Sequence, residues 1–175
     1  SFTGALGEVT VDTDKDTIVV HDGSLAGGFP LLHISTGSYL VKTEITTKAT
    51  SNLGIGVNAV DAITTGDYNV GFGDNALTAT TEGSSNSALG YNTLGTNTTG
   101  TYNSAFGRQA LEANTTGATN SAFGYIALGA NTTATQNNAF GYQSLDANTT
   151  GASNSGFGRA ALSNNTTGAS NAAFG

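Results

Sequence analysis

From Asn52 to its last residue the chain writes one seventeen-residue unit seven times and begins an eighth. Asn recurs at 52, 69, 86, 103, 120, 137, 154 and 171 without a slip, and Gly follows four residues after each, from Gly56 to Gly175. A period held this strictly puts equivalent residues at equivalent stations of a stack, so the chain is a repeat array.

Composition matters here because it decides what kind of array. There is no Cys, Met or Trp, one Pro, 25 Gly and only 10% charged residues, and much of the remainder is Thr, Ser, Asn and Ala. That mixture lacks the large apolar groups of an ordinary globule and suits stacked coils, where backbone ladders and small side chains carry the structure. Without cysteine there is neither a disulfide framework nor a thiolate metal site. No apolar run approaches the ~18 residues of a membrane span, and no signal peptide is visible. A net charge of −7 with five Lys/Arg disfavours nucleic acid, whose phosphates need a basic face. The chain starts at Ser1 and stops inside a repeat, so it reads as a piece of something longer.

One copy of the unit runs from Asn103 to Thr119. Its fourth position is large and apolar throughout: Ile55, Phe72, Leu89, Phe106, Phe123, Phe140, Phe157 and Phe174. The ninth is Val60, then Leu77, Leu94, Leu111, Leu128, Leu145 and Leu162. These two rows are expected to form the repeat core. Five residues separate them, an odd number, so a shared core requires a bend between them. The fifth-position glycines, Gly56, Gly73, Gly90, Gly107, Gly124, Gly141 and Gly158, supply that bend or a close backbone approach. A second turn is expected at Asn-Thr-Thr-Gly, from Asn97, Asn114, Asn148 and Asn165, with Gly at positive φ and Asn capping its own backbone. Two short strands and two turns then make each unit one coil of a β-solenoid. The Ala/Leu stretches are too short between their Gly and Asn-Thr-Thr borders to be helices. Coils ~4.8 Å apart give a column on the order of 35 Å. One Phe and one Leu per coil is a thin core against the entropy of ordering seventeen residues, which implies association of several chains around an axis.

Residues 1–50 are not repetitive and form a separate β-rich module, with residues 51–175 as the solenoid and the boundary near 46–51. Glu8 to Asp12 and Asp16 to His21 read as a hairpin joined by Thr13-Asp14-Lys15. Leu31 to Ile34 and Ser38 to Ile45 are further strand candidates after a Gly-rich loop ending at Pro30.

The units Asn-Ser-Ala-Phe-Gly-Tyr preceded by Thr-Thr-Gly-Ala resemble the head repeats of YadA-like trimeric autotransporter adhesins over residues 52–175. That resemblance implies a parallel β-roll with three chains side by side. Gly7 to Asp14, Val20-His21-Asp22-Gly23 and Ala26 to Leu31 are similar to the N-terminal module of bacteriophage tail fibres and the major tropism determinant family. This second resemblance implies a trimeric β-prism within a fibre that carries receptor-binding parts.

Candidate sites are few. Glu112 and Asp146 share the tenth position two coils apart, ~10 Å, near the spacing of an inverting glycosidase pair, but the coil between supplies no acid and they read as exposed turn carboxylates. Asp12, Asp14, Asp16 and Asp22 lack the Gly and Glu of a calcium loop. His21 and His33 read as hydrogen-bonded structural residues. The Thr-Thr pairs from Thr98 to Thr167 read as solvated turns and not as an ice-binding array, since adjacent residues face opposite ways. The Asn-Thr-Thr sequons at Asn97, Asn114, Asn131, Asn148 and Asn165 matter only on a eukaryotic secretory route. Tyr91, Tyr125 and Tyr142 share the variable sixth position with Asp74, Arg108 and Arg159, where a sugar-stacking contact has room to evolve.

The expectation is therefore an all-β homotrimer, not an enzyme and without cofactor, serving as a virion tail-fibre segment in host-surface attachment. Its expected partners are other fibre or tail proteins and a host glycan or protein receptor, with no nucleic acid and no membrane insertion. The alternatives are a bacterial surface adhesin head and a fibre-borne polysaccharide depolymerase.

Overall fold

A computed structural model describes residues 51–175 in full and, of the first fifty, the backbone of β1 Val9–Asp12, β2 Thr17–Val20, β3 Phe29–Leu31 and β4 Val41–Lys42. The chain divides into two compact units, Ser1–Leu40 and Val41–Gly175. In the first, β1 and β2 pair antiparallel, with Val9 opposite Val20 and Asp12 opposite Thr17. The expected hairpin is present with slightly shorter strands. β3 pairs antiparallel with β2 at the edge of a three-stranded sheet. The strand expected at 31–34 thus begins earlier and takes in Pro30, whose missing N–H is tolerated on an edge.

β4 is the described part of the strand expected at 38–45, and it belongs to the second unit. It pairs antiparallel with β5 Leu53–Ile55, so the break between units lies ahead of the change in sequence pattern. From β5 the sheet continues through β6 Val70–Phe72, β7 Ser87–Leu89, β8 Ser104–Phe106, β9 Ser121–Phe123, β10 Asn138–Phe140, β11 Ser155–Phe157 and β12 Ala172–Phe174. Each of these pairs parallel with the residue seventeen later, as Phe106 with Phe123 and Phe123 with Phe140. Among the described residues there is no helix, and the fold is an all-β parallel solenoid of about seven turns.

Each coil carries one three-residue strand, not the expected two. The remainder is turn, tied to the next coil by backbone bonds such as Leu111 N–H to the Ala127 carbonyl at 3.0 Å and Thr98 N–H to the Thr115 carbonyl at 2.9 Å. Four residues of every coil take positive φ, which no second strand accommodates. In the coil from Asn103 they are Gly107 (136°), Gln109 (60°), Leu111 (51°) and Thr119 (60°). The fifth-position glycine is indeed the bend, and its neighbour reinforces the requirement: a Cβ on Gly73 would lie 2.6 Å from the Gly90 carbonyl oxygen. The glycine of Asn-Thr-Thr-Gly does not have the expected positive φ. It is small because the coils approach closely there, and Ala134 occupies the same station while 4% exposed.

The core differs from expectation in one of its two rows. The ninth-position residues Leu77, Leu94, Leu111, Leu128 and Leu145 are fully buried, with Val60 and Leu162 packed against the ends of the cluster. The fourth-position residues are not inside. Phe72, Leu89, Phe106, Phe157 and Phe174 are exposed, and Ile55, Phe123 and Phe140 are half-buried. The reason is strand geometry. Alternation over three residues sends position three inward and positions two and four outward. The inward residue is therefore a small one, Ala88, Ala105, Ala122 or Ala139, packed against the leucines.

Polar ladders complete the interior. The first-position asparagines from Asn69 to Asn154 have no exposed surface. The Nδ2 of Asn86 donates to the Asn69 Oδ1 at 3.0 Å and to the Gly100 carbonyl at 2.8 Å, while its backbone N–H donates to the same Oδ1 at 3.0 Å. A second ladder runs through the twelfth position, where the Asn114 Nδ2 donates to the Asn97 Oδ1 at 2.8 Å and to the Gly117 carbonyl at 3.0 Å. A buried amide is tolerated only when its donors and acceptor are satisfied, and seventeen-residue stacking meets that condition in every coil.

Candidate interaction surfaces

Two columns of side chains stand on the outside of the solenoid. The first is the fourth-position row. Its phenyl rings stack face to face, with centroids 4.8 Å apart for Phe106 and Phe123, 4.7 Å for Phe123 and Phe140, 5.1 Å for Phe140 and Phe157, and 5.3 Å for Phe157 and Phe174. Parallel in-register pairing imposes that stacking. Beside the ridge, the second position supplies Leu53 and Val70 in the first coils and Ser87, Ser104 and Ser121 thereafter, a lower track on the same sheet face. Taking about 200 Å² for a phenylalanine side chain, the exposed part of the row is on the order of 500 Å². Contiguous apolar patches of that extent on a small unit are often functional.

The second column lies just past the fifth-position bend. Arg108 sits over the rings of Tyr91 and Tyr125, 5.6 Å from each centroid. Tyr125 stacks on Tyr142 at 5.4 Å, and Arg159 covers the far side of Tyr142 at 5.4 Å. The Arg108 Nη1 also donates to the Tyr125 hydroxyl at 3.2 Å. The faces of Tyr125 and Tyr142 are thus occupied by neighbours in the column, which removes the expected sugar-stacking mode. Tyr91 is 49% and Tyr142 45% exposed. One coil before Tyr91, the Asp74 carboxylate accepts the Val57 backbone N–H at 2.9 Å.

The other candidates resolve into the frame. Glu112 accepts hydrogen bonds from the Asn92 Nδ2 and, at 2.7 Å, from the Gln109 Nε2, so its oxygens serve the turn. Each first threonine of an Asn-Thr-Thr pair reaches the next coil, as Thr98 Oγ1 to the Thr115 carbonyl at 3.1 Å, and the second, as Thr99 or Thr116, is exposed. Asn97, Asn114, Asn131 and Asn148 are buried, so their sequons are closed to modification in the folded coil. Asp12 lies in β1, and Asp14, Asp16, Asp22, His21 and His33 fall outside the described residues. Among the described residues no cluster of His, Cys, Asp or Glu is placed to hold a metal, and no helix is long and apolar enough to cross a membrane.

The columns and ladders together define a repeat solenoid with two side-chain columns on its outside, preceded in sequence by a small antiparallel module. Residues 1–25 match the family model of the major tropism determinant N-terminal domain. A tail fiber receptor-binding protein of Bordetella phage BPP-1 is 43% identical over 70 residues, 39% of this chain and 18% of that protein. The match thus spans under a fifth of that relative's length. No solved structure matches. The chain carries a phage tail-fibre resemblance in its sequence, on a solenoid fold.

Proposed function

We propose that the chain is a segment of a homotrimeric phage tail fibre that takes part in host-surface attachment and is not an enzyme. The observation that carries this reading is the outward fourth-position row from Phe72 to Phe174, exposed or half-buried, with its phenyl rings stacked from Phe106 onward. A monomer has no use for a ridge of stacked phenyl rings in water, whereas three copies around a common axis bury each ridge against its neighbours. Standard interfaces bury about 800 Å² per partner, and a 500 Å² apolar centre with a serine track beside it fits one. The interior of each coil is alanine, leucine and asparagine, so lateral burial is also where additional hydrophobic stabilisation is available.

The tail-fibre resemblance of residues 1–25 favours a virion over a bacterial cell surface, since the adhesin-head alternative draws on the repeat alone. The mechanism is multivalent. Three parallel copies present the same weak contacts together, and effective concentration raises avidity without a tight single site. Other fibre proteins and a host glycan or protein are the partners this reading assigns. Light scattering tests it: a mass of about three times 17.4 kDa is expected, falling to one chain in Phe123→Asp/Phe140→Asp. A stable monomer of the unaltered chain at micromolar concentration overturns the trimer. Immunogold labelling of the parent virion away from the tail overturns the fibre assignment.

A further inference from the structure

Within residues 51–175 positive charge is confined to one column. Residues 51–175 contain two cationic side chains, Arg108 and Arg159, and both take the sixth position, alongside three of the five tyrosines of that stretch. Six carboxylates share the same residues. Yet among the described residues neither arginine pairs with one; their partners are Tyr91, Tyr125 and Tyr142. Both arginines are exposed, and a guanidinium carries planar pairs of N–H donors that match a carboxylate or phosphate.

We propose that the strip Tyr91–Arg108–Tyr125–Tyr142–Arg159 binds a linear anionic glycan laid along the solenoid axis. The proposal rests on the tail-fibre reading and names the class of receptor for it. Three features select this ligand. Arg108 and Arg159 are three coils apart, about 14 Å at ~4.8 Å per coil, so they read charges that recur along a chain and not one isolated anion. Between them Tyr125 and Tyr142, half-buried and 45% exposed respectively, have ring faces covered by their neighbours, which leaves hydrogen bonding by the phenol as their means of meeting sugar hydroxyls. The adjoining seventh position adds the amide of Gln143, partly exposed beside the column, while those of Asn92 and Gln109 are turned onto Glu112. A surface of guanidinium, phenol and amide matches a polyhydroxylated polyanion. A protein partner instead favours the apolar Phe row.

The test is calorimetric titration of the full chain with polygalacturonate, with its fully methyl-esterified form, and with a ribitol teichoic acid whose charge is phosphodiester. Binding to polygalacturonate or the teichoic acid, at least tenfold weaker for the ester and weakening with added salt, is expected. Which polymer binds separates a carboxylate ligand from a phosphate one. Arg108→Gln/Arg159→Gln should lower affinity at least tenfold while light scattering still reports the parent mass. Tyr125→Phe/Tyr142→Phe, which keeps the stack, should lower it severalfold and covers the case in which the arginine variant misfolds. No binding to either polyanion, equal binding to the ester, or variants that bind like the parent each overturn the strip. If they do so on a particle of trimeric mass, the fibre reading survives the loss of the strip.

Discussion

The Oδ1 of Asn103 accepts both the backbone N–H of Asn120 at 3.0 Å and its side-chain Nδ2–H at 3.2 Å. Asn120 in turn donates to the Ala134 carbonyl at 2.8 Å, and its own Oδ1 receives the backbone N–H of Asn137 at 3.0 Å. The ladder is polar, buried and continuous. Asn103→Asp keeps the shape, removes the donors to the Gly117 carbonyl and the Asn86 Oδ1, and brings a buried charge beside an acceptor. Several buried groups lose partners at once, so the expected loss is about 3 kcal/mol or more. Urea unfolding followed by circular dichroism at two wavelengths checks it, since arrays also lose cooperativity when one coil weakens.

The twelfth-position ladder has a gap at its start. Thr80 is fully buried, and its Oγ1 is the one buried side-chain oxygen or nitrogen without a partner among the described residues. Later coils have asparagine there, and the Asn97 Nδ2 already donates to the Gly100 carbonyl. Thr80→Asn places an amide oxygen where Asn97 expects one and a donor near the Gly83 carbonyl. A gain of about 1 kcal/mol is expected, read as a higher thermal midpoint. A lower midpoint contradicts the ladder account.

The stacking direction, the coil length and the sharp turn at Gly107 were legible because a strict period and an invariant glycine are direct consequences of in-register stacking. The ninth-position leucines read correctly as interior for the same reason. The phenylalanines did not, because hydrophobicity alone does not say which side of a three-residue strand a residue takes, and the inward place went to alanine. The asparagines were visible as a metronome without their role being visible; an unbroken polar residue in a lean repeat is the signal that a buried amide ladder leaves. Positive φ at Leu111 and Gln109 left no trace, since neither residue type prefers it.

Two glycine stations should respond differently. Gly73 combines a φ of 129° with a carbonyl 2.6 Å from any added Cβ, so Gly73→Ala is strained in backbone and in contact. Gly117 meets crowding at least as close, from the Asn114 Oδ1 of the buried ladder and from the Ala134 carbonyl 2.5 Å from an added Cβ, but its φ is ordinary and its neighbour in the column is already an alanine. Gly73→Ala, which adds backbone strain to the contact, is expected to cost about 2–3 kcal/mol, and Gly117→Ala, where only the contact must relax, about 1–2 kcal/mol. Thermal melts of the two single variants under one buffer compare them directly.

The inner and outer rows should separate stability from association. Leu111 is fully buried among small residues, so Leu111→Ala opens a cavity that the stacked coils above and below hold open. A loss of about 2–5 kcal/mol is expected at every protein concentration. Phe106 is 36% exposed and stacks on Phe123 in the next coil. Phe106→Ser removes that stack, about 1 kcal/mol within the coil, while the larger effect falls on contacts between copies. Its melting temperature should drop most at low concentration and recover as concentration rises, because mass action compensates weakened assembly but not a cavity. Melts across a hundredfold range of concentration measure both. If Phe106→Ser shows the same concentration-independent drop as Leu111→Ala, the phenylalanine row serves the coil alone and the outer ridge is not where copies meet.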